Sequence, residues 1–109
     1  MKPPTKSQLS PTVVAKLVKT ARKSGLAFKH AAVACDNRGN PICFDFNQPG
    51  HHALVRCFQK YWNAYMPRGR TAAYFIEIRI NRTGKLVNSR PCNECQDFIR
   101  KTGITVFHS

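Results

Sequence analysis

Apolar residues recur along the chain with two different periods. Val13, Val14, Leu17, Val18 and Ala21 stand at helical spacing, and Lys16, Lys19, Arg22 and Lys23 fall off that stripe. Ser10-Pro11 reads as an N-cap followed by proline at the first helical position, and Gly25 as the stop. A hairpin follows: strand His30 to Cys35 (HAAVAC), a DNRGN turn, and return strand Pro41 to Phe46 (PICFDF). The loop Asn47-Gln48-Pro49-Gly50 leads to a second helix, His51 to Met66, with Leu54, Val55, Phe58, Tyr61, Trp62 and Tyr65 on one broad face. Ala73 to Ile80 is the clearest strand. NRTGK turns, and Leu86-Val87 begins a short extended piece. Pro91 or Cys92 opens a third helix to about Thr102, Gly103 caps it, and Ile104 to Phe107 is the last strand.

The order α-β-β-α-β-α-β implies a three-layer α/β domain with a mixed sheet. The last two strands, joined through a helix, should run parallel with a right-handed crossover. Residues 1–10, with Pro3 and Pro4 and no periodicity, read as a flexible basic tail, and residues 11–109 as a single domain. The 109 residues are 42% hydrophobic, which suits one compact core and excludes global disorder. No apolar run approaches the roughly 18 to 20 residues needed to span a bilayer.

Charge changes the picture. The chain carries 18 Lys+Arg against 5 Asp+Glu, a net charge of +13. That excess favours a polyanionic partner: nucleic acid or an acidic protein surface. The first helix's Lys16, Lys19, Arg22 and Lys23, together with Arg82, Lys85 and Arg90, are the candidate contacts. Among the aromatics, Phe58, Trp62 and Tyr65 sit at helical spacing and read as core.

Five cysteines, Cys35, Cys43, Cys57, Cys92 and Cys95, make an odd number, with only one C-x-x-C pair. That reads as an intracellular, reducing compartment, with a metal or redox pair and three buried thiols. The basic, acid-free start with Ser and Thr also fits a mitochondrial transit segment.

The candidate chemistry lies in HHALVRC (51–57) and SRPCNECQ (89–96). Two cysteines three apart at a helix start can face one ion, and the helix N-terminus favours the thiolate that binds zinc. His52, at another helix start, is the natural third ligand, with His51 beside it. A His before one helix, then a strand, then P-C-x-x-C opening the next helix matches the zinc deaminase signature in order and element type. A redox pair is the plainer reading of the two cysteines.

On these residues the chain resembles the cytidine deaminase-like superfamily, most of all its short members in large DNA viruses, phages and microbial eukaryotes. The stretch AYFIEIRINRTGKLVNSRPCNECQDFIRKTGITVFHS is similar throughout to that family's strand, metal-binding helix and following strand, and FNQPGHHALVRCFQKYW to the segment through its metal-binding His. The resemblance covers about residues 28 to 109. It implies a minimal deaminase-like fold with zinc held by His52, Cys92 and Cys95, and Asn47 near the substrate sugar. It also implies hydrolytic deamination of a base, with a Glu shuttling protons.

Two departures qualify this. The Glu position holds Leu54, which can neither give nor take a proton. The chain also stops after the strand that follows the metal helix, where family members add another strand and a helix, so an open sheet edge is expected. Of the five acids, Asp45 is the best stand-in by position. His51 is another proton carrier. Glu77 lies mid-strand, on the face opposite Ile76 and Ile78, and Glu94 is expected to point away from both cysteines. The expectation is therefore a zinc-retaining, catalytically impaired deaminase-like protein that binds nucleic acid or a partner, for instance in a viral assembly. The alternative is an active deaminase with a relocated acid.

Overall fold

A computed structural model describes residues 10–89 and 93–108. The tail expected at 1–10 therefore lies almost wholly outside the described residues, as do Arg90, Pro91 and Cys92. The elements are α1 (Pro11–Ala21), β1 (Lys29–Cys35), β2 (Pro41–Phe46), α2 (Ala53–Lys60), β3 (Tyr74–Ile80), β4 (Leu86–Val87), α3 (Asn93–Thr102) and β5 (Val106–His108).

The sheet runs β2-β1-β3, with β4 and β5 both on the far side of β3. β1 pairs antiparallel with β2 and β3, and β5 pairs parallel with β3, so the sheet is mixed as expected. Asp36 closes the β1–β2 hairpin, its Oδ1 accepting the N–H groups of Arg38 and Asn40, each at 2.9 Å.

Alternation along the strands sorts side chains onto two faces. On one face, Val13, Leu17 and Ala21 of α1 pack against Ala31, Val33 and Cys35 of β1 and Tyr74, Ile76, Ile78 and Ile80 of β3. On the other, Ala32, Ala34 and Phe75 lie beneath Ala53, Leu54, Cys57 and Tyr61, with Phe98 and Ile99 of α3 closing the layer. The result is the three-layer α/β architecture predicted from the element order.

Four local expectations change. Helix α1 ends at Ala21, not at Gly25. The amides of Lys23 and Ser24 bond Thr20 O and Ala21 O in a tighter turn, so no left-handed glycine is needed. Helix α2 starts after the His pair, with His52 as its N-cap residue. Beyond Lys60 it widens into a π-helical turn, Tyr61–Tyr65, and then a 3₁₀ turn, Met66–Arg68. Trp62 is 51% exposed and so is not core, although Phe58 stacks on it with ring centroids 5.8 Å apart. The last strand begins at Val106 rather than Ile104.

Candidate metal centre

The approach to α2 is shaped by a tight turn. Gln48 and His51 exchange backbone hydrogen bonds of 3.0 and 2.8 Å around Gly50, whose φ of +73° suits glycine. Asn47 anchors that turn to the sheet. Its Oδ1 accepts the His30 N–H at 2.9 Å, and its Nδ2 donates to Phe28 O at 2.7 Å. Asn47 is buried, and those two bonds give it a structural duty in addition to the substrate role expected of it.

Together these segments border a cavity of about 490 Å³. His51, His52 and Ala53 border it from the start of α2, Cys95 from α3, and His30 and Glu77 from the sheet, with Asn47 at its side and Phe28 at its rim. Two of the predicted metal ligands, His52 before α2 and Cys95 on α3, thus border one cavity. His52 is half-buried and Cys95 is buried. Cys92 lies outside the described residues, and among those described no group of three or more His, Cys, Asp or Glu is disposed to hold a metal ion.

Glu94 reaches the same place. Its Oε2 lies 2.9 Å from His52 Nε2. Where Nε2 carries the proton, a carboxylate there accepts it and fixes the ring's orientation. Glu94 was expected to leave the helix on a different face from both cysteines; its partner is His52, across from the helix.

The acids redistribute. Asp45, the expected stand-in, does not border this cavity. It pairs with Arg56, Oδ1 to Nη2 at 3.2 Å, and borders a second groove across the β2 edge. Glu77, set aside in the sequence, is 3% exposed and borders the cavity. The parallel register places Glu77 beside His108, whose Nε2 lies 3.2 Å from Oε1. That contact is off the hydrogen-bonding direction, so it is a close approach and not a hydrogen bond. Burial, the largest influence, lowers the pKa of His30 from the usual 6.5, and Glu77 opposes it in part. His30 and His108 were missed. The available signal was alternation: Phe75, Glu77 and Arg79 share the face away from the isoleucines, and an acid on a face covered by two helices is conspicuous.

Leu54 is wholly buried, packed with Ala32, Ala34 and Phe75 in the α2 layer. No protein-family model, no curated protein and no solved structure matches this chain.

The remaining cysteines are buried free thiols. Burial pushes the Cys35 thiol up to about 11. Cys43 and Cys57 lie side by side: Cys57 Sγ is 3.6 Å from Cys43 O, and its thiol is raised well above the ordinary value, first by its bond with Cys43 and then by burial.

The predicted basic contacts split into two groups. Lys16, Lys19 and Lys23 border the second groove. Arg22 instead packs on the β3–β4 turn, where a Cβ added at Gly84 would fall 2.8 Å from its Nη2. Arg82 and Lys85, on that same turn, are exposed. Among the described residues no helix is long and apolar enough to cross a membrane.

Proposed function

We propose that this chain is a zinc-binding, cytidine deaminase-like protein whose catalysis is impaired, and that it acts as a basic nucleic-acid-binding module. One observation carries the reading. His52 and Cys95 border one cavity, while Leu54, at the position of the usual acid, is sealed in the core. An imidazole nitrogen and thiolates are a donor set that suits zinc. His52, Cys95 and Cys92 would hold it, and the metal would supply a Lewis acid and a staple between α2 and α3. Glu94 orients the His52 ring. Phe28 and Asn47 border the space left for a planar polar ligand.

A second reading, an active deaminase, draws on Glu77. It is a buried acid bordering the same cavity, with His108 Nε2 3.2 Å away, and could move a proton there.

Elemental analysis of anaerobically purified protein, with turnover assays on single-stranded DNA, RNA, cytidine and dCMP, tests both. The expected result is about one zinc per chain and no uracil product. Turnover that disappears in Glu77→Gln selects the second reading. Protein without zinc overturns both and leaves Cys92 and Cys95 as a redox pair.

A further inference from the structure

The second groove lies at the sheet edge formed by β2, away from the metal centre. Its volume is about 420 Å³. Lys16, Lys19 and Lys23 border it from α1, and Lys60 comes to it from the end of α2, on the opposite face of the sheet. All four lysines are exposed. Phe44, beneath them on β2, and Tyr65 add aromatic surface. Asp45 is the one acid among the described lining residues, and Arg56 neutralises it.

We propose that this groove binds the backbone of single-stranded nucleic acid, with the four ammonium groups on phosphates and the aromatic rings beneath the bases. The proposal rests on the nucleic-acid part of the reading above and gives it a place. Four cations around a channel with no uncompensated acid match a polyanion. Aromatic rings among them suit unpaired bases, whose faces are available for stacking. One acceptor of the strand edge is already taken, because Lys60 Nζ donates to Phe44 O at 3.0 Å. An ammonium has three protons, so Lys60 holds the edge and still meets a phosphate.

The experiment is fluorescence anisotropy of the full chain with labelled oligo(dT), oligo(U) and a duplex of equal length, across a salt series. Single strands should bind more tightly than the duplex. The triple variant Lys16→Gln/Lys19→Gln/Lys23→Gln should weaken oligo(dT) binding at least about tenfold at low salt and lower the salt slope by about two. An equal charge removal elsewhere, Arg38→Gln/Arg68→Gln/Lys101→Gln, should change binding far less. All six positions except Arg38, Arg68 and Lys101 border the groove, and all six are exposed, so both variants are expected to fold, with circular dichroism as the check.

Equal losses in the two variants would mean that binding follows net charge and would overturn the groove. So would full affinity in the lysine variant, or binding by anionic lipid vesicles in place of oligonucleotide. Zinc content separates this from the metal reading. Wild-type protein that holds zinc but binds no oligonucleotide sinks the groove and the nucleic-acid part of the reading and leaves the metal. Oligonucleotide binding lost equally in both variants sinks the groove alone, and zinc-free protein that binds through these lysines sinks the metal alone.

Discussion

The Nε2 of His52 and the Oε2 of Glu94 lie 2.9 Å apart across 42 residues of chain. The side chains are 41% and 82% exposed, so the pair adds little to stability. Its consequence is orientation. The contact fixes the His52 ring and ties the helix that carries Cys95 to the helix that follows His52.

Replacing Glu94 should therefore affect the metal and not the fold. Glu94→Ala is expected to weaken zinc binding by about 10- to 100-fold, read by competition with a chromogenic chelator. Glu94→Gln, which keeps a hydrogen-bond acceptor, should recover part of the loss. Unchanged affinity in both variants would remove Glu94 from the site.

Leu54 is a core residue by packing. Leu54→Ala should destabilise the protein by about 2–5 kcal/mol in urea titration, through lost burial and the cavity left behind. Leu54→Glu should cost at least about 2 kcal/mol, because a carboxylate would enter the layer that holds Ala32, Ala34 and Phe75. Placing an acid there by that substitution alone is expected to give no measurable deamination. Activity in a stable Leu54→Glu protein would show that the side chain can reach the cavity.

His30 sets a pH dependence. Its folded pKa lies below the unfolded value of 6.5, chiefly through burial. Below that unfolded value the unfolded chain binds the proton more readily, so stability is retained above about pH 6.5 and lost as pH falls. Melting temperatures measured from pH 8 down to pH 5 should decline, and His30→Gln should flatten part of that decline. A wild-type profile that rises toward acid would contradict the assignment.

Thiol reactivity should divide the cysteines. Cys35, pushed up to about 11, and Cys57, raised well above its ordinary value, are both buried. Neither should react with iodoacetamide at pH 8 in the native protein, because the nucleophilic thiolate is scarce and shielded. Both should react in urea, as followed by peptide mass spectrometry. Rapid native labelling of Cys35 would show that the α1 layer opens.

Much of the fold was legible because its signals are local. The stripe Val13, Leu17, Ala21 and the alternation in AYFIEIRI are burial patterns, and burial patterns declare the element. The failures were local competitions. Gly25 looked like a helix stop, but turn bonds at Lys23 and Ser24 satisfied the helix end four residues earlier. Trp62 shared the apolar spacing of Phe58, yet the π-helical turn begins at Tyr61, and Trp62 is exposed.

Part of the cavity lining was legible in the sequence, and its neighbours were not. His52 and Cys95 could be named from residue type and order. Asp45 was favoured by closeness in sequence, which is a poor guide in a sheet. Its strand is at the edge, and Arg56 holds it away from the cavity. Glu77 is distant in sequence, but its strand is central and its face looks toward α2 and α3.

Residue identity alone determined the order of helices and strands, the basic excess, the presence of zinc-type donors and the absence of an acid at Leu54. Those properties belong to single side chains or to short periodic runs. Only the tertiary structure decided that His30, Asn47, Glu77, His52 and Cys95 border one cavity, that Glu94 meets His52, and that Lys60 joins the lysines of α1. Such encounters depend on strand register and on which face of the sheet each helix covers. Both are set by long-range packing, which local periodicity does not encode.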